Sequence, residues 1–96
     1  MSNPRDMRRA PWRTPNGGPA FFVSDDQDGM LAALADNAES TLTENARTTL
    51  QFADTVLARG AAEPIEVRYL AKTLYQSLQD ALYVAELRGE RLGMEE

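Results

Sequence analysis

Residues 65–92, IEVRYLAKTLYQSLQDALYVAELRGERL, repeat their apolar side chains at the spacing of an α-helix. At 100° per residue, Val67, Leu70, Ala71, Leu74, Leu78, Ala81, Leu82 and Ala85 fall within one stripe about 120° wide, the pattern of a core-facing helix. The other side carries Ile65, Tyr69, Tyr83 and Leu87, interrupted by Lys72 and Gln76. A helix with one wet face has no use for that second row, so the spacing predicts contacts on two sides. Pro64 suits a first helical position, where its missing N–H costs nothing, and Glu63 and Glu66 complement the positive end of the helix dipole. Gly89 and Gly93 weaken and stop the pattern, with Arg88 and Arg91 in the final turns. The expected helix runs from about 64 to 92.

A second periodic segment precedes it. Leu31, Leu34, Ala35, Ala38, Leu42, Ala46, Thr49, Ala53 and Val56 keep one helical phase, flanked by Phe52 and Leu57. Ser24 and Gln27 form a capping box, and Asp25, Asp26 and Asp28 supply first-turn carboxylates, so this helix is expected over about 25–59. The threonines around residues 41–49 are poor helix formers, and Thr41 with Glu44 could cap a second start near residue 40; the unbroken phase favours one continuous helix. Thr49, central in the stripe, is read either as bonded to the carbonyl one turn back or as a register-fixing polar residue. Arg59-Gly60 closes the helix, and the short connection to Pro64 makes the two helices antiparallel neighbours. No glutamate is expected on either apolar stripe.

Residues 1–20 hold four of the five prolines and an Asn16-Gly17-Gly18 turn signal, so residues 1–23 are expected to form an extended or disordered arm. Trp12 and the run Ala20-Phe21-Phe22-Val23 give that arm a means of docking, on the chain's own core or on a partner. The fold class is therefore all-α: an antiparallel helical hairpin over 24–96 with an extended arm. After the arm is set aside, roughly 75 residues make a marginal core, so dimerisation into a four-helix bundle is expected.

Composition narrows the chemistry. Without cysteine or histidine there is no disulfide, no thiolate and none of the commonest general base or transition-metal ligand. No phosphate-loop or dinucleotide glycine motif is present, and D-x-D-G at 26–29 lacks the later ligands of a calcium loop. No catalytic residue, cofactor or metal is expected. Mean hydropathy is negative, no run approaches the ~20 apolar residues of a membrane span, and no secretory leader is legible; a cytoplasmic protein is expected. Nine of ten basic residues are arginine and alanine is abundant, a usage typical of GC-rich bacterial genomes.

Charge is divided. Residues 1–20 carry four arginines against Asp6, a net of +3, and residues 21–96 carry six basic against fourteen acidic residues, a net of −8. The arm can therefore reach for phosphate through Arg5, Arg8, Arg9 and Arg13, or for an acidic protein surface. The expected function is a non-enzymatic interaction or regulatory module that pairs with itself and with an unidentified protein. Its candidate contacts are Trp12, Phe21, Phe22, Ile65, Tyr69, Tyr83 and Leu87. Nucleic-acid association through the arginines is the alternative, and a small helical-bundle enzyme a more distant one.

Overall fold

Two long helices, α1 (Met30–Arg59) and α2 (Pro64–Glu95), follow two short strands, β1 (Met7–Arg13) and β2 (Pro19–Val23), in a computed structural model that describes residues 7–23 and 29–95, with side chains to residue 93. The helical hairpin is as expected from the periodicity. The all-α expectation needs correction, because residues 7–23 of the arm form an antiparallel β-hairpin. The capping box at 24–28 and Arg5 lie outside the described residues.

The strands follow from local chemistry. Thr14 accepts a backbone bond from Gly17 N–H at 2.8 Å and donates its own N–H to Gly18 O at 2.9 Å, closing a turn through Pro15 and Asn16. Gly17 sits at φ 85°, where a side chain would strain the backbone. The ladder pairs Met7 with Val23, Arg8 with Phe22 and Arg9 with Phe21, then shifts before Arg13 meets Pro19. Pro11 lies inside that shift and has no N–H to donate, so a regular ladder cannot pass through it. A two-stranded ribbon is marginal alone. Here Ala10 and Phe22 are buried with Ala35 of α1, and Ala20 and Ala32 pack around them.

α1 is continuous. Thr43, Thr49 and Thr55 each donate a hydroxyl to the carbonyl four residues back, which satisfies the side chain without breaking the helix. Gly60 closes α1 at φ 72°, donating its N–H to Leu57 O, and Arg59 bridges the turn to Glu66 at 2.6 Å.

The face that α2 turns inward is not the one its leucines mark. Among the protected positions, one row on α1 runs through Ala35, Glu39, Leu42, Ala46, Thr49, Ala53 and Val56, and one on α2 through Leu70, Thr73, Ser77, Asp80, Val84, Leu87 and Arg91, with Ala32, Ala38, Thr43, Glu66 and Tyr83 half-buried beside them. Both sets alternate spacings of three and four, the signature of an antiparallel heptad seam. Across its middle, Ser77 donates to Thr49 Oγ1 at 2.9 Å while Thr49 donates to Asn45 O at 3.1 Å. Thr49 therefore makes the expected bond one turn back and accepts a second one from across the seam. Of the predicted core stripe of α2, only Leu70 is buried; Leu74 is 37% and Leu78 62% exposed, and Val67 and Leu82 are also exposed. The inward face lies about a third of a turn away, at 100° per residue.

Candidate functional site

Two features stand out: a buried ion-pair cluster that fastens the β-hairpin, and an apolar flank of α2 that none of the described residues covers.

The cluster centres on Glu39, which is 1% exposed. It occupies a seam position of α1, a correction to the expectation that no glutamate lies on the stripes. Arg91 of α2 binds it in a fork, donating through Nη1 and Nη2 at 2.8 Å each. Arg8 of β1, also buried, donates to Glu39 at 3.2 Å and to Asp36 at 2.7 Å, and its guanidinium lies 5.5 Å from the centre of the Phe22 ring. Arg88 approaches Glu39 at 3.6 Å. Burial pushes the Glu39 carboxyl up, but hydrogen bonds and charges from Arg91 and Arg8 outweigh it and hold the group below its ordinary 4.5. One carboxylate thus ties both helices to the hairpin. Three cations surround it, Arg91 and Arg8 through hydrogen bonds and Arg88 through charge alone.

A second layer of contacts seals the hairpin onto α2. Tyr83 donates its hydroxyl to Ala10 O at 3.1 Å, and Arg9 and Arg13 each lie 5.3 Å from the centre of its ring. Arg9 also donates to Glu90 at 2.6 Å. Beside these contacts lies a cleft of about 560 Å³, lined by Arg13, Leu42, Asp80, Tyr83 and Glu86 among others. Among the described residues no group of three or more potential metal ligands occurs.

The apolar flank follows from the heptad geometry. In an antiparallel pair, the positions immediately after the seam's d residues share one side of the layer. They are Asp36, Thr43, Leu50 and Leu57 on α1, with Val67, Leu74, Ala81 and Arg88 on α2. The next row of α2 adds Ala71, Leu78, Ala85 and Leu92. Leu50, Leu57, Val67, Leu74, Leu78 and Leu92 are all exposed. The seam beneath is made mainly of small and polar residues, and Leu87 and Glu39 are the largest fully buried side chains among the described residues. The chain therefore keeps most of its leucines outside. No described helix is long and apolar enough to cross a membrane.

Most of the residues expected to meet a partner or phosphate are drawn into the hairpin contacts. Leu87 is 1% exposed and Tyr83 half-buried, so these two belong to the internal contact of α2. Phe22 is buried, with Trp12 stacked on it at 6.0 Å between ring centres. Phe21 faces solvent, as do Ile65 and Tyr69; Tyr69 meets Phe52 edge-on at 6.3 Å. Arg8 and Arg9 are held in ion pairs, and Arg13 is the exposed one among the described members of the expected phosphate set. The structure brings Trp12, Phe22, Arg8, Arg9, Arg13, Tyr83 and Leu87 into one docked end and leaves Ile65 and Tyr69 at the other. Sequence reasoning missed Glu39, Asp36 and Arg91. The available signal was the phase of Glu39, four residues after Ala35 and three before Leu42.

No protein-family model, curated protein or solved structure matches the chain.

Proposed function

We propose that this chain is a non-enzymatic protein-interaction module that acts as a homodimer, two helical hairpins joining in a four-helix bundle. The observation that carries the reading is the inversion of the protomer: a small, partly polar seam inside and a row of leucines outside. An exposed apolar strip of that length marks an interaction surface. Size supports it as well. The radius of gyration is 17.3 Å, against about 12.5 Å for a compact domain of this length. The surface is 7177 Å², against about 5,500 Å² for a compact monomer of this mass. The difference, about 1,700 Å², exceeds the ~800 Å² that each partner contributes to a standard interface.

In this reading the β-hairpin serves as an internal brace, and the exposed Phe21 and Trp12 at one end, with Ile65 and Tyr69 at the other, remain for a protein partner. Light scattering coupled to size exclusion at low micromolar concentration tests the assembly. The expected mass is twice the 10.6 kDa of the chain. A monomer of full helicity at that concentration refutes it.

A further inference from the structure

We infer that the exposed flank of α2 is the seat of a second copy of this chain, and that the two α2 helices meet there antiparallel about a two-fold axis level with Gln76. The inference rests on the proposed homodimer and specifies its geometry.

The strip reads the same from both ends. Val67, Ala71, Leu74, Leu78, Ala81 and Ala85 lie on one flank of α2. Their spacings, four, three, four, three and four, are symmetric about residue 76. An isologous contact must be self-complementary, residue i meeting j while j meets i. Antiparallel alignment then sets Leu74 against the partner's Leu78 at the centre. Ala71 faces the partner's Ala81, and Val67 faces the partner's Ala85. Large side chains occupy the middle, and small ones beside them allow the helices to approach closely. Opposed helix dipoles favour the same direction.

The borders of the strip suit a second copy. Arg68 and Glu86 are eighteen residues apart, five whole turns, so they stand at one angle on one border. In antiparallel helices like borders face each other. The alignment centred on residue 76 brings Arg68 within two residues, about 3 Å of rise, of the partner's Glu86. Arg68 has no ion pair among the described residues. On the opposite border the same alignment brings Arg88 equally near the level of the partner's Glu66, a carboxylate that Arg59 holds within its own chain at 2.6 Å. Arg88 holds Glu39 only at 3.6 Å, whereas Arg91 and Arg8 hold it more closely. Leu57, 74% exposed on the same side of the layer, lies near the turn, towards which the partner's Leu92 extends in this alignment.

The chain contains no cysteine, so introduced thiols report geometry without interference. Ala71 and Ala81 are exposed in the protomer and tolerate substitution there. They stand ten residues apart on one helix, about 15 Å, too far for a disulfide within a chain. The double variant Ala71→Cys/Ala81→Cys, oxidised under native conditions, is expected to give a covalent dimer on a non-reducing gel. Ala71→Cys alone and Ala81→Cys alone are expected to give none. Cross-linking of either single variant at the yield of the double variant shows parallel helices and overturns the inference. Absence of any cross-link, with the wild-type chain dimeric by light scattering, places the interface elsewhere and also overturns it. A monomeric wild-type chain overturns the proposed homodimer itself.

Discussion

Replacing Glu39 with glutamine keeps the shape of the side chain and removes the charge on which the hairpin is fastened. Three cations feel the loss unequally. Arg8 has a side chain only 6% exposed, but it keeps Asp36 at 2.7 Å; that carboxylate is itself 64% exposed and so binds through a wetter medium. Arg91 loses one arm of its fork, because an amide nitrogen cannot accept, and keeps the other only to an uncharged oxygen; at 25% exposure it can turn outward and rehydrate. Arg88, at 3.6 Å and 52% exposed, loses least. Breaking a fully buried pair costs about 3–5 kcal/mol. With one partner retained and another able to escape to water, about 2–4 kcal/mol is expected. That is a large share of the roughly 5–14 kcal/mol that 96 residues usually command, and it corresponds to a fall in Tm of roughly 10–25 °C.

Trp12 makes the experiment specific. It is the only tryptophan and stacks on the buried Phe22, so its emission reports hairpin docking while far-ultraviolet circular dichroism reports the helices. In urea, Glu39→Gln is expected to release the Trp12 signal before the helical signal, whereas the wild type loses both together. Acid supplies a second reading. The Glu39 carboxyl titrates below its ordinary 4.5 in the fold, so its stabilisation is complete above that value and is lost as pH falls through the lower folded one. Glu39→Gln should remove this part of the acid dependence. If the variant keeps its Trp12 emission and unfolds at the wild-type urea midpoint, the cluster does not fasten the hairpin.

Four further outcomes probe the two sides of α2 and the hairpin docked on it. Leu87→Ala, at a site 1% exposed, should cost about 2–5 kcal/mol in thermal or urea unfolding; Leu78→Ala should leave isolated protomers nearly unchanged in stability yet weaken dimerisation in a dilution series. Tyr83→Phe removes the bond to Ala10 O and should cost about 0.5–1.5 kcal/mol by urea denaturation, with helical content intact. Arg8→Ala with Arg9→Ala should loosen the hairpin by Trp12 emission while leaving duplex DNA retention at 50 mM salt unchanged, because both cations are already engaged within the chain.

The helical hairpin was legible because its signals are local. Arg59-Gly60 ends α1, Pro64 starts α2, and the apolar phase runs unbroken through the threonines. The β-hairpin was less legible. Prolines and the Asn16-Gly17-Gly18 turn describe a loop as readily as a ribbon, and Arg8 occupies an inward strand position where an apolar residue would announce burial. Its burial depends on Glu39, thirty-one positions further along the chain, and no periodicity in either strand encodes that partnership. Glu39 was hidden for the matching reason: a charged residue inside a stripe looks like an interruption until its counter-charges are located.

The inversion of α2 is a different kind of failure. Periodicity identifies the face of a helix that gains most from leaving water, because apolar burial is proportional to area whatever the surroundings. It does not say whether the surface that covers that face belongs to the same chain. Small residues on the remaining faces then decide which contact forms within the protomer. Thr73, Ser77 and Asp80 of α2 can meet Ala46, Thr49 and Ala53 of α1 at close range, and the Ser77–Thr49 bond fixes their register. Packed leucine against leucine instead, the two helices of one chain would leave Glu39 with no place beside Arg91 and Arg8. The polar seam is thus compatible with the brace, and the leucine stripe stays free for another surface. One face of α2 is thus set by hydrogen bonds and ion pairs within the hairpin, and the other, apolar by area alone, is the face that the proposed homodimer would cover.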